Sequence, residues 1–259
     1  MQVGSQSHVQ KYLVISLLAI VAMWTTGYFL GQRAAILSSD FAYIPLTILL
    51  TITAFFQIYQ TRKENKNILP WYVFAVFALT YNIAQHIWSL NELIVDQKPF
   101  PSFADVAFII STISLVIFFM LIIKSKKQSI SRWMYVVAIP SGCFTIGLAM
   151  YFFISNNTEL IFEQILSLVY PLLDSIALVP ALIGIMMYFK NKINFATCLI
   201  CLSMIPLTIG DILFQITTAS NTYYSGSITD LFYYIQITLL IFGVYILSND
   251  KIRSNASVS

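Results

Sequence analysis

Hydrophobic residues along this chain gather in eight long stretches separated by short polar breaks. The stretches run roughly over 11–31, 41–61, 70–91, 103–124, 133–154, 160–189, 193–217 and 228–248. About 20 apolar residues in helical form cross about 30 Å of hydrocarbon. The pattern therefore predicts an all-α integral membrane protein with eight transmembrane helices, residues 1–259 forming a single transmembrane domain.

The polar breaks repeat. His86, Ser102 and Asp105 lie within QHIWSLNELIVDQKPFPSFAD, and Asp211, Ser227 and Asp230 lie 125 residues further on within GDILFQITTASNTYYSGSITD. This pairs span three with seven and four with eight, giving repeat A over about 11–124 and repeat B over about 133–249. Pro45 and Pro171 correspond after a one-residue slip. Each half holds an even number of spans, so the two enter the membrane in the same sense. The expected relation is two parallel four-helix repeats about a pseudo-two-fold axis along the membrane normal. In that arrangement His86 faces Asp211 near the axis.

Composition places the chain in a bilayer. It is 58% hydrophobic and 10% charged, with mean hydropathy +0.80, where soluble domains carry about 25% charge. Of the 14 Lys and Arg, only Arg33 and Lys98 fall on one side of the alternating spans, and the rest fall on the other. Basic residues stay on the cytoplasmic side, so both termini are expected in the cytoplasm of a multi-pass cell-membrane protein. The net charge of +3 is this bias rather than a nucleic-acid signal. The lipid bilayer is the predicted partner. Span one is expected to remain as an uncleaved helix, since no small-x-small site follows GYFLGQRAAIL. Cys143, Cys198 and Cys201 all fall in spans and read as packing residues. Asn156-Asn157-Thr158 is a glycosylation sequon in an outer loop.

Each Ser-x-x-Asp resembles a capping box with Asp in place of Glu. Ser102 and Ser227 would accept orphan N–H groups, and Asp105 and Asp230 would sit at the positive ends of helix dipoles. A binding role can coexist with that structural one.

Asp174 is the charge that capping does not explain, because it lies midway along span six. An acid at that depth costs about 2.5–3.5 kcal/mol on insertion scales and should face the bundle interior. Glu163, Ser167, Tyr170 and Asp174 fall on one helical face descending from the outer surface. Pro171 and Pro180 flank Asp174 and predict a kink or local unwinding. Two readings stand: a cation or proton site with freed carbonyls, or a protonated acid acting as interhelical glue.

Asn82, His86 and Ser89 form a further stripe on span three, and Thr208, Asp211 and Gln215 form one on span seven. Tyr233, Tyr234 and Gln236 follow Asp230 on span eight. Together they predict a polar pocket in the outer half of the membrane, with Tyr81, Trp88 and Phe214 as apolar walls. Asp40, Glu92, Asp96, Asp105, Glu159, Glu163 and Asp230 make the outer face acidic, which favours cations or protons.

Cofactor chemistry is only bounded. His86 is the sole histidine in a span, His8 being in the tail, so one chain cannot supply two intramembrane histidines to a haem. One His with carboxylates is not a diagnostic metal spacing, and the metal stays unknown. No lysine lies inside the final span to hold retinal, and G-x-S-x-G, H-E-x-x-H and P-loop signatures are missing.

QHIW with KPFPSFADVAF, together with VYPLLDSIALVPALIG, GDILF and TYYSGSITDLFYY, resembles a pattern of multi-pass archaeal membrane proteins without an assigned activity. Related domains resemble the membrane-embedded input regions of bacterial diguanylate cyclases and sensor kinases. The matching residues are Pro101, Ser102, Ala104, Asp105, Tyr170, Pro171, Asp174, Asp211 and Asp230. The resemblance covers most of spans three to eight. His86 departs from it, standing where an acid is expected. The chain ends at Ser259 without an output domain, so a sensory role implies a separate signalling partner.

The leading expectation is a stand-alone sensory or ligand-binding membrane protein. It would take a small ligand, proton or cation around Asp174, Asp211 and His86, with Tyr170, Asn82, Gln215 and Glu163 contributing. The alternative is a secondary transporter built from parallel repeats, disfavoured because the cytoplasmic halves of the spans read as apolar. An intramembrane enzyme using His86 and carboxylates is the third.

Overall fold

The computed structural model describes residues 2–95, 97–155 and 161–256. The sequon at Asn156, together with Asp96 and Glu159, lies outside the described residues. The described chain is 86% helical and contains no strand. Eight segments are long and apolar enough to cross a membrane. In chain order the helices are α1 (Gln2–Phe29), α2 (Gln32–Lys63), α3 (Leu69–Leu93), α4 (Phe103–Lys124), α5 (Arg132–Ser155), α6 (Ile161–Phe189), α7 (Phe195–Leu202), α8 (Met204–Ala219) and α9 (Ile228–Ala256). The hydrophobic alternation thus predicts the number of spans, with α7 and α8 forming one.

Local chemistry sets the element ends. Asn65, Asn191 and Asn221 follow α2, α6 and α8 with φ of 50°, 55° and 55°, and Asn tolerates this left-handed region better than most residues. Span two begins nine residues earlier than its hydrophobicity predicts, because Ser38, Ser39 and Asp40 continue the helix back to Gln32. Pro206 lacks the N–H that would bond Leu202 O, and span seven breaks at Ser203, the residue between α7 and α8. Pro171 and Pro180, by contrast, lie inside an unbroken α6. The expected unwinding beside Asp174 does not occur there. Ser175 Oγ instead donates to Pro171 O at 2.6 Å.

Packing places α1 and α5 at the periphery. Their spans are each 17% buried, against 67% for the span formed by α7 and α8. Helix α2 packs against α3 and α9, and α6 packs against α4, α7 and α8. A column of aromatic rings fills the core between α3 and α4, with Phe74 and Phe118 centroids 4.9 Å apart. Without water to drive association, such close packing and interhelical hydrogen bonds hold membrane helices together.

The two ends of the bundle differ. One carries Arg62, Lys63, Lys124, Lys126, Lys127, Arg132, Lys190 and Lys192 at helix termini. The apolar reading of that half needs correction. Ser248 Oγ donates to Gln57 Oε1 at 2.6 Å, and Gln57 Nε2 donates to Thr61 Oγ1 at 3.3 Å. Gln57, Gln60, Thr61 and Ser248 are all buried. The opposite end carries the Leu30–Gly31 turn, the 94–102 loop and the 220–227 loop, and it holds the candidate site.

Candidate functional site

The two Ser-x-x-Asp motifs start α4 and α9. At the first, Ser102 Oγ accepts Ala104 N–H at 3.1 Å and Asp105 Oδ2 accepts Ser102 N–H at 2.6 Å, closing a capping box. The second departs from it. Asp230 Oδ2 accepts Gly226 N–H at 2.7 Å, and Ser227 Oγ has no hydrogen-bond partner. Gly226 has φ +86°, and a Cβ there would lie 2.4 Å from Ala35 O. The tight approach of this loop to α2 turns the N–H of Gly226, rather than that of Ser227, toward the carboxylate.

Both acids also reach into other helices. Tyr170 OH, on α6, donates to Asp105 Oδ1 at 2.6 Å. Ser39 Oγ, on α2, donates to Asp230 Oδ2 at 2.7 Å, and Tyr234 OH donates to Ser39 Oγ at 2.7 Å. Tyr223 OH donates to Asp230 Oδ1 at 3.1 Å. Burial first, and then the Asp230 charge, push the Tyr223 phenol well above its usual range, so it stays a donor. Charge-assisted bonds of this kind are the stronger class, and here they satisfy carboxylates that are 2–3% exposed.

These side chains surround a cavity of about 70 Å³, room for about two or three waters at about 30 Å³ each. Its wall includes Asp105, Asp211 and Asp230, and no basic side chain among the described residues borders it. Tyr81, Trp88 and Phe214 line it, as do Tyr43, Tyr170, Tyr223 and Tyr233. Phe214 packs edge-on against Tyr223, centroids 4.8 Å apart. A wider recess of about 700 Å³ lies on the loop side, bordered by Arg33, Glu92, Lys98 and Glu163. Tyr223 borders both spaces.

Asp211 accepts Tyr233 OH at 2.6 Å. Asp174 is fully buried, and neither of its carboxyl oxygens has a hydrogen-bond partner among the described residues. The α6 stripe therefore divides. Asp174 is buried without bordering the cavity, Tyr170 borders the cavity, and Glu163 borders the outer recess.

On α3 the cavity face lies one position round from the expected one. Asn82 Oδ1 accepts Thr47 Oγ1 at 2.8 Å and Ser89 Oγ donates to Asp40 Oδ1 at 2.8 Å, so this stripe faces α2. His86 Nδ1 pairs with Asn82 O at 2.8 Å on its own helix. The His86–Asp211 pair is not formed. Asp211 turns to Tyr233, and His86 does not border the cavity. Tyr81, Gln85 and Trp88 take that face instead. Gln215 also looks away, its Nε2 donating to Ala149 O at 3.0 Å.

No known protein family, curated protein or solved structure matches the chain. Among the described residues no three His, Cys, Asp or Glu side chains gather closely enough to hold a metal ion.

Residues missed at the level of sequence include Gln85, Tyr43, Tyr223 and Ser225. Gln85 with Tyr81 and Trp88 follows helical spacing and carries a legible signal. Ser225 accepts Trp88 Nε1–H at 3.0 Å and donates to Glu92, but it sits in a loop where no periodicity applies.

Proposed function

We propose that this is a sensory membrane protein that binds a small ligand in the cavity between α3, α4, α6, α8 and α9. The observation that carries the reading is a cavity between the helices whose wall is acidic and aromatic. Buried acids in a membrane span are expensive and are retained at ligand or ion sites. Both Ser-x-x-Asp acids border the cavity and bond to α2 or α6, so a ligand that moved them would shift the helices they tie. The resemblance to membrane-embedded input regions, carried by Asp105, Tyr170, Asp174, Asp211 and Asp230, points the same way.

In this reading the basic end lies in the cytoplasm with both termini, and the cavity opens toward the exterior. Two parallel four-helix repeats are supported by matching neighbours: α2 lies against α3 and α9, as α6 lies against α8 and α4. Transport has one observation in its favour, the buried polar groups around Gln57 at the basic end. Gln57, Thr61 and Ser248 bond one another, which suits a structural joint better than a pathway.

The test uses the protein in lipid nanodiscs with a panel of amines, amino acids, sugars, nucleosides and organic acids. At least one compound should raise the melting temperature of wild type and fail to do so when Thr112→Trp fills the cavity. At 100 times Kd a bound ligand stabilises by about 2.7 kcal/mol. An undiminished response in Thr112→Trp, or accumulation of that compound inside proteoliposomes, overturns the reading.

A further inference from the structure

Gln85 is 5% exposed, borders the cavity and forms no hydrogen bond with any described residue. Tyr81, one turn earlier on α3, is 8% exposed, and its hydroxyl also makes no hydrogen bond there. Buried polar groups normally find partners, and leaving one unpaired costs about 1–3 kcal/mol. An amide and a phenol that face the same space without a protein partner therefore mark where a ligand's polar atoms belong.

The surrounding wall says which atoms those are. Three carboxyls border the cavity and no described basic group does, so an anion would meet only repulsion. A bare metal ion suits the wall poorly, because the acids are spread around it rather than gathered to one point; hard cations take six or more oxygens at short range. Aromatic faces are what remain, and they attract cations whose charge is spread over C–H and N–H groups. The volume of about 70 Å³ limits the guest to a few heavy atoms.

We propose that the cavity binds a small alkylammonium ion, its N–H groups donating to Gln85 Oε1, the Tyr81 hydroxyl oxygen and the cavity carboxyls and its alkyl part resting on Trp88 and Tyr233. This rests on the ligand-binding reading above and names the class of ligand. Tyr81, Gln85 and Trp88 then act as one strip: hydroxyl, amide and indole presented in sequence along α3.

Isobutylammonium chloride is the probe, measured by calorimetry and thermal shift on the full chain in nanodiscs. Sodium chloride at equal ionic strength and the neutral isostere isobutanol are the controls. The ammonium should bind saturably where both controls do not. Gln85→Leu keeps the volume while removing the acceptor, and should weaken binding by about tenfold, the ratio that 1.4 kcal/mol represents. Tyr81→Phe guards against a folding artefact, since it removes one hydroxyl and leaves the ring; it too should weaken the ammonium. Equal binding of isobutanol, an equal effect of sodium chloride, silence of the ammonium, or unchanged affinity in both variants overturns the proposal. If isobutanol alone binds and Thr112→Trp abolishes it, the ligand-binding reading survives while the ammonium class fails. A wild-type response in Thr112→Trp overturns both.

Discussion

Tyr170 on α6 donates to Asp105 at the start of α4 at 2.6 Å, so a capping acid of the first half of the chain is completed by a phenol of the second. Ser39 and Asp230 form the converse bond, from the first half to the second, at 2.7 Å. The motif that reads as a local helix start is also where the halves are joined. Tyr170→Phe leaves Asp105 Oδ1 buried without this donor, and should lower stability by about 1–3 kcal/mol. Thermal denaturation in nanodiscs measures it, with Tyr245→Phe as reference because Tyr245 is 45% exposed. Equal melting temperatures for the two variants would contradict the role assigned to this bond.

The Gly226 turn is held by both backbone conformation and space. With φ +86° and Ala35 O 2.4 Å from a would-be Cβ, Gly226→Ala must displace the loop that delivers its N–H to Asp230. The cost should be about 1–3 kcal/mol, as for a residue forced into a sparsely allowed region. Gly147, with nothing within 4 Å of its would-be Cβ, supplies the contrast: Gly147→Ala in a helix interior should be neutral or stabilising by up to about 1 kcal/mol. Chemical denaturation of the two variants side by side decides the point, and a Gly226→Ala protein as stable as wild type would refute the close approach.

Asp174 is fully buried with neither carboxyl oxygen hydrogen-bonded among the described residues. Asp174→Asn keeps the size of the side chain and removes the ionisable group, so stability should stay within about 1 kcal/mol of wild type. Asp174→Ala opens a void in the core, and should cost about 2–4 kcal/mol. The ordering of the two melting temperatures is the measurement. An Asn variant as unstable as the Ala variant would show that the carboxyl does something an amide of the same size cannot.

Much of this architecture is legible in the sequence, for identifiable reasons. Span number and the capping of α4 depend on hydrophobic run length and on local hydrogen bonds, and the 125-residue repeat of Ser-x-x-Asp marks, as helix starts, two of the three acids of the cavity wall. Polarity alone does not show which face of α3 borders the cavity. Asn82 and Ser89 are polar because they bond Thr47 and Asp40 across the α2 interface. In a membrane bundle, helix contacts need polar side chains as much as sites do. His86 does not pair with Asp211 for a geometric reason: His86 bonds Asn82 O on its own helix while Tyr233 bonds the Asp211 carboxyl, and which helix supplies that donor is set by packing that no periodicity encodes.

Tyr233 and Asp211 offer a test that separates a hydrogen bond from the ring that carries it. Gly210 lies against that ring, with a would-be Cβ 2.6 Å from Tyr233 Cε1. The neighbour is a side chain, so in Gly210→Ala the ring swings aside and its 2.6 Å bond to Asp211 is lost along with some packing. Tyr233→Phe loses the bond alone. Each should destabilise by about 0.5–3 kcal/mol, and the double variant should lose less than the sum of the two, by about 0.5–1.5 kcal/mol, since the same hydrogen bond cannot be lost twice. Equilibrium unfolding of the four proteins gives the coupling directly. Strict additivity would mean that the alanine methyl leaves the Tyr233–Asp211 bond in place, and that the α8–α9 contact yields at the backbone instead.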